Sequence, residues 1–483
     1  LFFAERYDVV VIGTGPAASF FLHRYLRGSG ADVRVLVLER GGMNSHASQL
    51  DGGRPRLVRA SREAIANRTP DKVWNYLLTF GGSSNCWVGG TPRMLPNDFR
   101  LRSAYGVGED WPVQYDELER YYCDAEDMMA VSGPMDGSPF PRSRPYPLPP
   151  HRFSDVERIL KKAYPDRFFV QPTARPTTST SRRPKCCANH VCTLCPIDSK
   201  FTVLNEMRDL YDDPRVSLVL GASAQALDLA GGTVARGVVF EQDGRTRVAQ
   251  GDLVVLAANA LFNPHILLRS GLSHPELGRG LVEQLGNMVV VNLDGVDNFQ
   301  GSTYVTGNGY MMYDGPHRRE RAAALIETYN RPELRAERGK WRQRLRMRVI
   351  FEDLRQAENR VGVSAEDPRL PDVVFHGHSD YAQRGLDALG AEMERVLAPL
   401  PVEEIIIRPQ PERTESHIIG TTPMGADPKR SIVDRHLFHH QLRNVLVLGS
   451  SVYPTAAPAN PTLTLCALSL RAADHVLASS KAA

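Results

Sequence analysis

YDVVVI (residues 7–12), running straight into GTGPAASFFLHRYL (residues 13–26), decides the fold of this chain. The first six residues form a continuous apolar run rich in valine, the pattern of a parallel strand buried on both faces. The next fourteen carry helical spacing behind a glycine-rich turn. Gly13 and Gly15 allow a tight turn and a close approach of backbone to a pyrophosphate at the helix N-terminus, and Ala18 takes the third small position, where helix meets strand. The following apolar run, VRVLVL (33–38), ends at Glu39, placed 26 positions after Gly13, where a carboxylate accepts hydrogen bonds from both hydroxyls of a ribose. The same carboxylate repels a 2′-phosphate, so the unit suits FAD or NAD better than NADP.

Three later segments favour the flavin. TFGGSSNCWVGG (79–90) supplies a small-residue loop, with Gly81, Gly82, Ser83, Asn85 and Cys86 expected to lie against an isoalloxazine ring or a phosphate. GDLVVLAANALFNPHILLRSGL (251–272) reads as a buried strand, a small-residue turn and a helix begun by Pro264. NVLVLGSSVYPTAAPANPTLT (444–464) reads as a strand leading into a turn and a helix, with Gly449, Ser450, Asn460, Pro461 and Thr462 toward the flavin. Ala224 completes the expected cofactor-binding set.

Composition sets bounds on the rest. With 483 residues, 42% hydrophobic and 23% charged, the chain has the balance of a globular protein large enough to bury a bulky cofactor. No apolar run reaches the roughly 18 residues of a membrane span. A formal charge of +3, with acids and bases interleaved, gives no footprint for nucleic acid. LFFAERYDVVVIG enters a strand without the charged and apolar regions of a secretory signal, so a cytoplasmic location is expected.

Taken in order, these segments resemble the glucose-methanol-choline family of FAD oxidoreductases over most of the chain. EDWPVQYDELERYYCDAEDMMAVSG (109–133) is similar to the family's motif after the flavin loop, and LGRGLVEQLG (277–286) and FEDLRQAENRVGV (351–363) resemble further family segments. The ending ANPTLT is similar to the branch of pyranose oxidases and bacterial sugar dehydrogenases, which implies a polyol or sugar-like substrate. Alcohol oxidation by a flavin needs a base for the hydroxyl proton, and imidazole suits the task. ESHIIGTTPMG (415–425) matches the family's H-x-x-G-T-x-x-M-G motif, which makes His417 the expected base; Asn460 matches its partner position, able to hold the substrate oxygen. The other histidines read as scaffold, with His436, His439 and His440 in a surface connection and His265 in a structural helix. Two departures stand out: Gly449 and Ser450 replace an acidic residue common in relatives, and Cys86 occupies a position where pyranose oxidases link histidine to the flavin. At Cys86 a small buried thiol is the simpler reading.

RPKCCANHVCTLCPIDSKFTVLN (183–205) crowds four cysteines into ten residues, a density that selects soft metals. Cys186, Cys187, Cys192 and Cys195 therefore form a candidate metal set. Their C-C-x4-C portion is similar to family dehydrogenases that hold a 3Fe-4S cluster, which would imply an electron-acceptor protein as partner; zinc, or cysteines with a purely structural role, are the alternatives.

The expected architecture is α/β: a doubly wound, Rossmann-like FAD-binding domain from 1–130, 196–292 and 408–483, an inserted α+β substrate domain at 293–407 on a mainly antiparallel sheet, and an irregular connection at 131–195 carrying the cysteines. Glu327, Glu352, Asp353 and Glu358 mark the inserted segment as acidic. If such carboxylates face the pocket, an aminosugar or aminoglycoside alcohol is the substrate they favour; otherwise they are a solvated edge.

Overall fold

A computed structural model describes residues 6–135, 137–331 and 333–482. The strand Tyr7–Ile12 lies inside a seven-stranded sheet, between Val35–Glu39 and the end of Arg245–Leu256, both parallel to it. Val216–Leu220 extends the sheet in parallel beyond Val35–Glu39, and Val445–Val447 pairs in parallel with Arg245–Leu256. Successive side chains of a strand point to opposite faces, and Val9, Val10 and Val11 are all at most 1% exposed, so both faces are covered. The helices Pro16–Gly28 and Thr462–Ala482 pack on one another over this layer, with Phe20, Phe21 and Leu22 in the same core as the central strand. This is the doubly wound layer that the opening apolar run predicts.

Pro264 does not begin its helix. The helix spans Asn259–Arg269 with the proline inside. A proline lacks the N–H that would bond to the carbonyl four residues earlier, here that of Ala260. The Thr421 hydroxyl donates to that carbonyl at 2.8 Å, which removes much of the penalty.

The second sheet has six antiparallel strands in the order Val402–Ile407, Leu285–Leu293, Arg344–Phe351, Ala324–Tyr329, Val305–Gly309 and Phe168–Val170. Its two faces differ. Ala324 and Ile326, with Leu345, Met347, Val349 and Phe351, enter a core shared with the helices Asp380–Asp387 and Leu389–Leu397. Period-two alternation therefore turns Leu325, Glu327 and Tyr329, and Arg346, Arg348 and Ile350, to the other face, where the functional cavity lies.

Residues 131–195, expected to be irregular, contain a helix, Asp155–Ala163, and the edge strand Phe168–Val170. The helix signal was present as S-x-x-E: the Ser154 hydroxyl accepts from Glu157 N–H, and the Glu157 carboxylate accepts from Ser154 N–H at 2.6 Å. Within 351–363, Arg360–Val363 leaves the six-stranded sheet and joins a separate three-stranded one with Pro371–Val374 and Ala66–Asn67. Among the described residues no helix is long and apolar enough to cross a membrane.

Candidate active site

A cavity of about 540 Å³ opens at the carboxyl ends of the parallel strands, where doubly wound sheets hold ligands. Ile12 and Gly13 line it from the first strand, Leu38 and Glu39 from the second, and Ala257 from the third. Gly13 has φ +101°, and a Cβ there would sit 2.7 Å from the Ala257 carbonyl oxygen. At Gly15 an added Cβ meets nothing within 4 Å. Gly15 also precedes the helix without offering a side-chain cap, so the first-turn N–H groups stay open to an anion. The Glu39 carboxylate accepts from Thr14 N–H and Oγ1–H at 3.0 and 2.7 Å and from Gly41 N–H at 2.7 Å, and its burial pushes its pKa up. Thr14 in turn accepts from Gly81 N–H at 3.0 Å, tying the dinucleotide turn to the small-residue loop.

Of the residues expected around the cofactor, Gly13, Gly15, Glu39, Gly82, Ser83, Cys86, Ala224, Gly449, Ser450, Asn460, Pro461 and Thr462 all line this cavity. Ala18, Gly81 and Asn85 act from behind it. Ala18 is buried in the helix, Gly81 turns the loop at φ +81°, and the Asn85 amide donates to the carbonyls of Phe80 and Gly82. The glycine cradle, the open helix terminus and the Glu39 carboxylate fit FAD. The Cys86 thiol donates to the Ser83 carbonyl, and burial raises its pKa, which keeps it protonated and a weak nucleophile. Behind it, Lys200 Nζ donates to the Trp87 carbonyl at 2.7 Å, and burial brings its pKa down to about 8.

His417 and Asn460 arrive from separate segments, and both line the same cavity. Asn460 Nδ2 stands 3.4 Å from His417 Nε2, and Asn460 Oδ1 has no protein partner. Ser416, just before the histidine, holds φ +63°, a conformation rare outside glycine and typical of constrained functional turns. The His417 backbone N–H donates to Glu283 Oε1 at 2.9 Å, and Thr414 Oγ1 donates to the same oxygen at 2.8 Å. Glu283 Oε2 is paired with buried Lys72, whose ammonium lies over the rings of Trp74 and Phe375. On the ring side, His417 Nδ1 meets Gln284 Oε1 at 2.5 Å. Burial lowers the His417 pKa to about 4, against an opposing pull from Glu283. Glu283 and Gln284 lie inside the quoted LGRGLVEQLG segment, yet nothing in that stretch by itself says what they hold. The other histidines remain apart: His265 is buried against the Pro368 carbonyl, and His439, expected at the surface, is buried with Nδ1 accepting from the N–H groups of Gln441 and Leu442.

The second sheet closes the cavity opposite. Glu327 and Arg348 are direct cross-strand neighbours. Arg348 turns to Glu415 at 2.9 Å and to the Thr414 carbonyl at 3.1 Å. Glu327 is 2% exposed and is held by neutral donors, Gln171 Nε2 at 2.9 Å, Tyr329 OH at 3.1 Å and the Asn460 side chain. Burial raises its pKa. The other acids of that segment lie elsewhere: Glu352 pairs with Arg318, Asp353 hydrogen-bonds His378 and Ser379, and Glu358 is exposed.

Cys186, Cys187, Cys192 and Cys195 line a separate cavity of only about 10 Å³, room for a single water. Among the described residues no three histidine, cysteine or acidic side chains are grouped to hold a metal ion. As placed, the thiols do not fit a 3Fe-4S cluster, although sequence proximity suggested one. The loop folds tightly, with Ala188 and His190 at φ +54° and +63°, and the ring Nε2 of His190 is 2.8 Å from Gln300 Oε1.

Known proteins resemble this chain in sequence and fold. Two family models described as GMC oxidoreductase match residues 172–286 and 356–469. The chain is 26% identical to the fructose dehydrogenase large subunit of Gluconobacter japonicus, over 97% of each chain. It is 28% identical to the 6'''-hydroxyparomomycin C oxidase of Streptomyces lividus, over 99% of this chain and 94% of that one. The crystal structure of pyridoxine 4-oxidase from Mesorbium loti shares the fold with a TM-score of 0.67 at 18% identity, covering 97% of this chain and 99% of the other. Carrying the matched N-terminal and C-terminal regions in order around the cavity just described, the chain belongs to the GMC oxidoreductase family of FAD-dependent enzymes.

Proposed function

We propose that this protein oxidises an alcohol group of a sugar-like or aminosugar substrate, with His417 Nε2 taking the hydroxyl proton. The observation that carries the reading is the approach of His417 Nε2 and the Asn460 amide, 3.4 Å apart, in the cavity that also holds Gly13 and Glu39. FAD, when bound, supplies the acceptor for the carbinol hydride, so loss of the proton to His417 and of the hydride to the cofactor leaves a carbonyl. Gly13, Gly15, Glu39 and the loop from Gly82 to Cys86 would hold the cofactor. Asn460 would hold the substrate oxygen, and the low pKa of His417 keeps its base neutral at physiological pH.

Glu327 supports the aminosugar part of the reading. It is a buried carboxylate on the cavity wall whose neutral donors leave it able to accept from a substrate ammonium. The names of the two relatives, a fructose dehydrogenase subunit and an oxidase of a paromomycin, lie on either side of this choice.

The test is an anaerobic absorbance spectrum of the purified flavoprotein with a panel of sugars and aminosugars. Wild-type flavin bleaches with one of them; His417→Ala keeps its flavin bands and does not bleach. Bleaching of the variant at the wild-type rate sinks the assignment. Readmitting oxygen then separates an oxidase, reoxidised at once, from a dehydrogenase that needs an electron-acceptor protein. An iron assay on the same sample decides the cysteine segment: about three irons per chain would restore the cluster, and none leaves the four thiols structural.

A further inference from the structure

We infer that Gln284 is a positioning residue that sets the tautomer of His417 and, with the same amide, fixes the segment carrying Asn460. The inference rests on the reading of His417 as base and adds what makes one of its two ring nitrogens the proton acceptor.

The placement follows from backbone register. Val282 and Ile419 exchange a pair of N–H···O bonds at 3.0 and 2.9 Å as an antiparallel bridge. Two residues along each strand from such a pair, side chains again stand opposite one another on a common face. Those residues are Gln284 and His417. The neighbouring Glu283 points the other way and holds the backbone N–H of His417, so one dipeptide grips both the ring and the main chain of the histidine.

The direction of the amide is fixed by its other end. Gln284 Nε2 donates to the carbonyls of Ala457 at 2.6 Å and Ala459 at 3.0 Å. A carbonyl oxygen cannot donate, so the amide nitrogen must face these two groups, and Oε1 must face the imidazole. At 2.5 Å from Oε1, His417 Nδ1 is then the N–H donor. A neutral imidazole has a single N–H, which leaves the lone pair on Nε2. That nitrogen faces the Asn460 amide donor across the cavity. Ala457 and Ala459 immediately precede Asn460, so the same side chain anchors the turn that presents the second member of the pair. Both amide hydrogens and the amide oxygen of Gln284 are thereby engaged, and the residue is 1% exposed.

The charged groups around the ring do not set the tautomer. Glu283 is committed to Lys72, Thr414 and the backbone, and Arg348 to Glu415. Glu327 meets Gln171 and Tyr329. Among the described residues, only Gln284 hydrogen-bonds a ring nitrogen of His417 from the side away from the cavity.

The experiment is ¹⁵N-histidine NMR of the flavin-loaded protein, with His417→Ala used to assign the ring signals. Expected for wild type is one protonated nitrogen, Nδ1, and one bare nitrogen, Nε2, from pH 6 to 9. Gln284→Leu removes the acceptor, and the single Nδ1–H form is lost to a mixture of tautomers. Gln284→Glu restores an acceptor at the same place; its second oxygen, facing the Ala457 and Ala459 carbonyls, keeps its proton, so the variant retains the Nδ1–H form and the wild-type titration of His417. A wild-type spectrum with the proton on Nε2, or a Gln284→Leu spectrum identical to wild type, overturns the inference. Should Gln284→Leu lose its flavin, the wild-type tautomer and the Gln284→Glu titration decide. None of these readings needs turnover, so a failure of the proposed reaction, seen in His417→Ala, is separate from a failure of this one.

Discussion

Replacing Glu327 by glutamine tests the substrate reading where it makes a charge-dependent claim. The substitution keeps the shape of the side chain, removes its ability to be an anion, and turns one oxygen into an NH2 group that the Tyr329 hydroxyl can accept from while the other still receives Gln171. Glu327 is 2% exposed, with one oxygen receiving Gln171 at 2.9 Å and the other Tyr329 at 3.1 Å. Each carboxylate oxygen has a second lone pair, which leaves room for a donor from the cavity. A hydrogen bond to a charged partner contributes about 1.5–3 kcal/mol against about 0.5–1.5 for a neutral one. The difference, about 1–2 kcal/mol, corresponds to about 5–30-fold in kcat/KM at 1.36 kcal/mol per tenfold. The assay is anaerobic dye reduction with matched sugars that differ in one amino group for a hydroxyl, such as glucosamine and glucose. Glu327→Gln should lower kcat/KM for the amino sugar by that factor and change the neutral sugar by less than about threefold. Because burial raises the carboxyl pKa, the wild-type preference for the amine should fall on acidification as the carboxyl takes up a proton, and fall again at high pH as the amine loses its own. Equal losses for both sugars, or a preference that ignores pH, would refute the reasoning and leave Glu327 as part of the wall.

Gly13→Ala places a Cβ 2.7 Å from the Ala257 carbonyl in a left-handed backbone; at about 1–2 kcal/mol for the conformation and about 1–3 for the overlap, the variant should purify with much less flavin, read from the ratio of flavin to protein absorbance. Glu283→Ala leaves Lys72 buried without its partner and frees the His417 backbone, which should cost about 3–5 kcal/mol in chemical denaturation. The buried imidazoles weaken the fold as pH drops. His23, His151, His265, His417 and His439 have pKa values lowered to about 4, so between about pH 4 and 6.5 the unfolded chain binds protons at these positions that the folded one does not. Buried Asp98, raised to about 6, Glu415, raised to about 8, and Glu39, Glu157 and Glu327, raised by burial, act in the opposite direction. Each such imidazole contributes up to about 1.4 kcal/mol per pH unit near pH 5, so replacing His439 by a neutral side chain should make Tm less sensitive to acidification from pH 6.5 to 4.5.

Much of this protein is readable without its structure because the decisive signals are local. A strand, a glycine turn and a helix are contiguous, and the steric need for Gly13 and the carboxylate of Glu39 follow from a short stretch of chain. The His417 motif and the ending that contains Asn460 are also compact, so both residues could be named before they were seen together. Other assignments failed where local pattern misleads. Pro264 looked like a helix start because a proline usually cannot sit deeper, and only the Thr421 hydroxyl, far away in sequence, explains why it does. The four cysteines are close along the chain and line one cavity of about 10 Å³, yet among the described residues they form no group placed to hold a metal ion, and the iron assay decides between a cluster and a structural role.

The sequence by itself determined the dinucleotide fold and named the candidate cofactor glycines and the candidate pair His417 and Asn460, since each reading depends on residues that are neighbours in the chain or on side-chain chemistry that position cannot change. Only the tertiary structure decided which of four acids faces the cavity, because the strand that bears Glu327 has two faces and the choice between them is made by packing against helices more than fifty residues away. It also decided what holds the base. Gln284 and His417 are 133 residues apart, and an antiparallel register, set by backbone hydrogen bonds and not by any motif, brings amide and imidazole to 2.5 Å.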